Sequence, residues 1–272
     1  VRNDGEIIQE IRDQVKAGVN LIKLAGSGLS SDEYAAFRPE EVKLAADESH
    51  RLSRPITIHA RSRQSVRYAA DAGVDWIMHA SYMDDATLDL VLKKEIPICP
   101  AMTLLVNMLE ADDVGISDLP PGVRRHVEEE RDSAIGILSK FHQSGGTLIC
   151  GSETGFAMTP YGEWHTREMG LFVKHLGLSP MEAILCMTRN SAFTLPNYRE
   201  KIGTLTPGKF ADLLVVDGAP HEDIEVLHDP SNIKAIMQGG RTITPWRPID
   251  KKRTRHGFEK VHLYTRTTLN RM

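Results

Sequence analysis

Cysteine is scarce in this chain of 272 residues: Cys99, Cys150 and Cys186 are its three cysteines. Their number is odd and no CxxC occurs, which argues against both a disulfide framework and a cysteine-ligated zinc site. Cys99 and Cys150 lie in apolar, strand-like runs, where buried thiols are the expected state. Long hydrophobic runs are also missing, and no stretch approaches the ~20 apolar residues of a membrane span. Nor is there an excess of charge: 33 Lys and Arg against 37 Asp and Glu leave a net charge of −4. A chain of that balance, with pI near 6.3, has no general attraction for nucleic acid or an anionic membrane surface. No signal-peptide pattern opens it. The expectation is a cytoplasmic protein acting on a small molecule, without a nucleic-acid or membrane partner.

What is present is alternation. Apolar residues at helical spacing over 4–18 (Ile7, Ile8, Ile11, Val15) stop at Gly18, and an apolar strand pattern follows at 20–25. Helices are predicted at 39–52, 63–72 and 84–94, and strands at 55–60, 75–79 and 96–100. The run 101–146 reads as helical but broken at Gly115 and Pro120-Pro121, and a fifth strand is predicted at 147–151. Helices at 166–176 and 180–192 complete this part. Strands separated by helices at this pitch imply parallel strands with crossover helices. From residue 200 short strands with Gly and Pro turns replace them. The segment 245–272 is basic, with eight Lys or Arg against Asp250 and Glu259.

Four of these predicted strands end on residue types that bind metals or activate water. Lys23 ends Leu21-Ile-Lys23, His59 ends Ile56-Thr-Ile-His59, His79 ends Trp76-Ile-Met-His79, and Glu153 follows Leu148-Ile-Cys-Gly-Ser-Glu153. In a (β/α) barrel the strand ends converge on one mouth, so these residues form a candidate hydrolytic metal site. Each has a plainer reading as well. Lys23 could sit in a structural ion pair, His59 and His79 could be satisfied core histidines, and Glu153 could cap the helix after it. Two strand-terminal histidines one β/α unit apart favour the metal reading, because neutral imidazole is the commonest zinc ligand. A lysine in an apolar strand must be paired, neutral or modified, and carbamylation by CO2 would turn it into a carboxylate able to bridge two metals.

The chain resembles the amidohydrolase superfamily, in particular its prolidase and imidazolonepropionase-like branch. The resemblance is carried by Ile22-Lys23, His59-Ala60, Met78-His79-Ala80 and Gly151-Ser152-Glu153. It continues through Thr159-Pro-Tyr-Gly-Glu163, Leu178-Ser-Pro-Met-Glu-Ala183, Thr188-Arg-Asn-Ser-Ala192 and Gly203-Thr-Leu-Thr-Pro-Gly-Lys-Phe-Ala-Asp-Leu213. It implies an α/β fold: a (β/α)8 TIM-type barrel, with about five of its eight β/α units present, and a small C-terminal β-sandwich subdomain. The domain boundaries that follow are 1–199 for the partial barrel, 200–248 for the sandwich return segment and 249–272 for a basic tail. The family's first-strand His-x-His pair is absent and only about five strands are read, so the chain is expected to be the C-terminal portion of a longer protein. The open apolar edges of five strands invite association, and a homo-oligomer is expected.

The resemblance also implies a function: metal-dependent hydrolysis of a C–N amide-type bond in a dipeptide, N-acyl amino acid, cyclic amide, urea or carbamate. Two divalent ions, with zinc the best fit and manganese or cobalt as alternatives, would be bridged by a carbamate on Lys23. His59, His79 and Glu153 would be ligands, with Glu153 as the catalytic proton shuttle in place of the family's aspartate. Tyr161, where the branch carries a histidine, with Trp164 and His165, would bind substrate. The rival readings are a mononuclear deaminase, which would place no lysine at the fourth strand, a non-catalytic member of the same superfamily, and an unrelated α/β binding protein.

Overall fold

The computed structural model describes residues 3–28, 34–115, 118–155, 159 and 164–243. These fall into two compact units, one formed by Val1–Pro100 with Glu129–Ile149, the other by Ala101–Glu128 and the chain from Cys150 onward.

In the first unit, helix and strand alternate as α1 (Asp4–Lys16), β1 (Ile22–Ala25), α2 (Pro39–Arg51), β2 (Ile56–Ala60), α3 (Arg63–Ala72), β3 (Trp76–His79), α4 (Asp85–Lys93) and β4 (Ile98–Cys99). Three of these helices, α1, α3 and α4, start where short polar side chains can satisfy the first backbone N–H groups. Asn3 accepts from Glu6 N at 3.0 Å and Asp84 from Thr87 N at 2.8 Å, while Ser62 accepts from Ser65 N at 3.2 Å. Gly73 ends α3 in the left-handed conformation, φ 75°, the geometry in which glycine has no Cβ penalty.

The four strands form one parallel sheet in the order β1-β2-β3-β4. Register decides which residues share a face. Lys23 lies opposite Thr57 and Ala25 opposite His59, while Thr57 pairs with Trp76 and His59 with Met78. Cys99 pairs with Met78. Lys23, His59, Trp76, Met78 and Cys99 therefore lie on one face, and there Trp76, Cys99 and Ile149 pack with Leu21 and Met78. The other face carries Ile56, Ile58, Ala60 and Ile77, all with no accessible surface. Burying each of these isoleucines contributes about 1.5–3 kcal/mol.

The fifth predicted strand is reduced to a bridge. Leu148 pairs with Ile98 in parallel, through Ile98 N to Thr147 O at 3.0 Å and Ile149 N to Ile98 O at 2.9 Å. The ladder stops because β4 is two residues long, and because the next N–H, that of Cys150, donates to Ser191 Oγ at 3.1 Å instead.

In the second unit, α5 (Thr103–Asp113) packs Leu105 and Leu109 on Val127 of α6 (Pro121–Gln143), a helix whose residues from Glu129 on belong to the first unit. Helix α7 (His165–Leu171) runs on into a π-helical turn over Phe172–Leu176. Helix α8 (Pro180–Leu185) opens with a reciprocal cap, Glu182 N to Ser179 Oγ at 3.3 Å and Ser179 N to Glu182 Oε2 at 2.8 Å, and also passes into π and then 3₁₀ turns over 186–194. Strands β5 (Leu213–Val216), β6 (Ile233–Gln238) and β7 (Arg241–Thr242) make a small antiparallel sheet, the short Gly/Pro-turned strands read from the sequence after residue 200. All three cysteines are thiols, and burial pushes Cys186 up to about 12. Among the described residues no helix is long and apolar enough to cross a membrane.

Candidate metal centre

His59 is the fourth residue of β2 and His79 the last of β3, so both stand at the carboxyl end of adjacent parallel strands. Register by itself would separate them. His79 lies opposite Ala60, one residue beyond His59, and in a regular strand its side chain would point to the opposite face. The backbone corrects this: His79 has φ 73° and Ala80 φ 57°, both left-handed. That conformation costs of order 1–3 kcal/mol per non-glycine residue, and here it accompanies a meeting of the two imidazoles. The rings lie edge to face with centroids 4.5 Å apart, and both residues are buried.

The hydrogen bonds around each ring set its tautomer. His59 Nε2 faces the carbonyl of Gly28 at 3.0 Å, and His79 Nδ1 faces that of Pro100 at 3.3 Å. A carbonyl can only accept, so the proton sits on the facing nitrogen and the lone pair on the other. This is how histidines are oriented as ligands, with the outer N–H on a carbonyl or carboxylate. Charge state agrees. Burial lowers the pKa of His59, with smaller contributions from Arg61 and Lys23. It lowers that of His79 well below the ordinary histidine value, helped by Arg61, His59 and Lys23. Both rings are thus neutral near pH 7, the form that binds a cation.

Close backbone approach keeps the Gly28 carbonyl in range. Gly26 N donates to His59 O at 2.7 Å. A Cβ at Gly26 would stand 2.6 Å from Ile58 Cδ1 and 2.9 Å from His59 O, so this position excludes any side chain. Lys23, on the adjacent strand and the same face as His59, is exposed rather than enclosed by the apolar strand around it. Lys23 thus stands on the edge strand β1 of the described sheet.

Around the two histidines lies a network the sequence reading passed over. Arg61, two residues after His59, is ion-paired with Glu130 of α6, and Glu130 Oε1 also accepts from Ser81 Oγ at 2.8 Å. All three are 0–1 % exposed. A signal for Glu130 was available: it falls on the buried stripe of α6 marked by Val127, Ala134, Leu138 and Phe141, yet the run Glu128-Glu129-Glu130 reads as a solvated face.

Glu153 belongs to the second unit. It has φ 54°, and its carbonyl accepts from Thr159 Oγ1 at 2.8 Å, while Gly155 N donates to Thr159 O at 2.6 Å. These bonds tie Thr159 to the backbone of Glu153 and Gly155. Of the three substrate-contact expectations, Tyr161 lies outside the described residues. Trp164 is buried at the start of α7, with the Arg167 guanidinium 5.8 Å from its ring centroid, whereas His165 is exposed. The same helix contributes a buried carboxylate. Glu168 accepts from Met102 N and Thr103 N, each at 2.8 Å, and from Thr103 Oγ1. Burial pushes its pKa up to about 7 despite those three donors, with Glu153 adding in the same direction.

A parallel α/β sheet with tautomer-locked histidines at neighbouring strand ends places two candidate ligands where α/β folds gather their functional side chains. The chain belongs to the amidohydrolase family, whose model matches residues 2–243. It is similar to ochratoxinase of Aspergillus niger, 26% identical over 251 residues that make up 89% of this chain and 51% of that protein. The crystal structure of that ochratoxinase superposes with a TM-score of 0.80 at 25% identity, over 89% of this chain and 55% of that one. A Xaa-Pro dipeptidase with methionine bound in its active site gives a TM-score of 0.79 at 25% identity, over 89% and 59% of the two chains. The chain thus spans about half the length of the curated relatives it matches.

Proposed function

We propose that the protein hydrolyses a C–N amide-type bond of a small molecule, using a divalent-metal centre built on His59, His79, Glu153 and Lys23. The observation that carries this reading is the pair of buried, neutral, edge-to-face imidazoles at adjacent strand ends, each with its outer nitrogen held by a carbonyl. The relatives lend it direction, since a dipeptidase cleaves an amide bond.

A divalent ion held there would supply Lewis-acid polarisation of the scissile carbonyl and a water acidified toward neutral pH. The chain's residues do the rest. His59 and His79 offer their second nitrogens as ligands. Lys23, on the face of His59 and open to solvent, gains a carboxylate when its neutral amine adds CO2: an N–C bond forms and one amine proton leaves to solvent. Glu153 takes the proton of the attacking water and passes it to the departing nitrogen, so that a carboxylic acid and an amine are released. Trp164 and His165, with Tyr161, bound the substrate. Zinc is the ion best matched to this donor set, with manganese and cobalt as alternatives.

The test is metal analysis of the intact protein, coupled to amine release from N-acyl amino acids and Xaa-Pro dipeptides. About two ions per chain and chelator-sensitive hydrolysis are expected. A protein that carries no stoichiometric metal after growth with zinc, manganese or cobalt overturns the reading.

A further inference from the structure

The fold holds His59 and His79 on short strand ends, and the turn after His79 is strained. Something must keep that turn from relaxing. Two consecutive left-handed residues, His79 and Ala80, lead directly into Ser81. Ser81 is held at both of its polar ends by one face of α6: its Oγ donates to Glu130 Oε1 at 2.8 Å, and its carbonyl accepts from Ser133 Oγ at 2.8 Å. The corresponding position after the other histidine is Arg61, and its guanidinium is ion-paired with the same Glu130 oxygen. The backbone of Arg61 is tied as well, its N donating to Ser27 Oγ at 2.9 Å and its carbonyl accepting from Tyr82 N at 3.0 Å. Ser27 directly precedes Gly28, whose carbonyl orients His59.

From this arrangement the geometry points to Glu130 as a positioning residue for the metal centre, a buried clamp that sets the spacing of His59 and His79 through Arg61 and Ser81. The inference rests on the metal reading above. It assigns Glu130 no contact with substrate or ion. Three features separate it from a stabilising ion pair that merely happens to lie nearby. One carboxylate oxygen serves both strand ends, and each tie lies two residues beyond a histidine. The third is that the clamped turn is the one whose left-handed backbone accompanies the meeting of His79 and His59. A fully buried Arg–Glu pair is weak support for stability, since replacing both partners by apolar residues is often neutral or stabilising. Its use is therefore sought in geometry. Outer-shell partners of ligating histidines are worth ~10–100-fold in metal affinity.

The experiment compares Co(II) binding by the intact wild-type protein, the double variant Arg61→Met with Glu130→Leu, and Ser81→Ala, following the visible d–d bands and measuring Kd by titration. Thermal melts of the metal-free proteins are recorded alongside. The expected result is a double variant that melts at or above the wild-type temperature, yet binds Co(II) ~10–100-fold more weakly with shifted bands. Ser81→Ala should move in the same direction by less. If the double variant does not fold, Ser81→Ala and Glu130→Gln, which retain packing, decide the matter by the same two readouts. Folded variants with wild-type Kd and wild-type bands overturn the clamp while leaving the metal reading intact. A wild-type protein without Co(II) bands overturns the metal reading, and the clamp with it.

Discussion

Glu153 is the residue where family expectation and this chain part company. The longer side chain sits on a left-handed backbone anchored through Thr159, a setting that fixes where its carboxylate starts from. Replacing it by glutamine keeps an oxygen donor but removes the proton acceptor. Glu153→Gln is therefore expected to retain most of the metal and to cut turnover by ~10²–10⁴, measured as kcat beside metal content. Glu153→Asp should also lose activity, because misplacement by about 1 Å can cost ~10²-fold. If Glu153→Gln keeps near-wild-type kcat on every amide tested, another group carries the proton, with His165 the first to replace. The candidates themselves were legible at this scale: a lysine, two histidines and an acid after predicted strands stand out in the sequence. Left-handed φ at His79 was not, since nothing in Met78-His79-Ala80 requires it.

Helices and strands raise different questions, and two of their junctions carry measurable consequences. Glu168 of α7 satisfies the start of α5 by accepting from Met102 N, Thr103 N and Thr103 Oγ1, all in buried residues. Glu168→Ala would leave those donors without their acceptor, and a buried unsatisfied group costs about 1–3 kcal/mol. A loss of at least that size is expected in denaturant titrations. Between α1 and α2, Glu48 is buried and paired with Arg51 and Arg12, which hold its carboxyl at about 2. Its folded value lies below the ordinary ~4.3 of a free glutamate. The stabilisation is thus complete above that pH and is lost as pH falls toward about 2. Because both arginines are half exposed, the contribution is about 1 kcal/mol. Glu48→Gln should lower Tm by a few degrees at pH 7, and the gap should close in melts near pH 2. A gap that is the same at both pH values would show that the carboxylate charge is not what stabilises. The element pattern was readable in advance because apolar residues recur at helical spacing up to Gly18 and short apolar runs mark the strands. The fifth strand was over-read, as its pairing depended on a two-residue partner and on the hydroxyl of Ser191, remote in sequence.

On the scale of the whole molecule, a metal that binds the folded chain and not the unfolded one must stabilise it. At a free concentration of 100 times Kd the gain is about 2.7 kcal/mol, which corresponds to roughly 5–10 °C for a chain of this size. Stripping metal with a chelator should lower the melting temperature by that order, and readdition of Zn(II) should restore it. Identical melts before and after chelation would count against a metal held by the folded state. Charge makes no comparable claim on partners, for −4 over 272 residues is close to balance.

Periodicity and turn chemistry were enough to read a parallel α/β chain, and the motifs around Lys23, His59, His79 and Glu153 were enough to suggest its resemblance to the amidohydrolases. They suffice because alternation and strand ends are local properties, written in consecutive residues. The tertiary structure decided the rest: that a left-handed turn accompanies the meeting of His79 with His59, and that Glu130, about fifty residues from Ser81 and seventy from Arg61, ties both strand ends together. Those are pairings between distant positions, and a buried glutamate in an acidic helical run looks like any solvated one until the fold places arginine and serine against it.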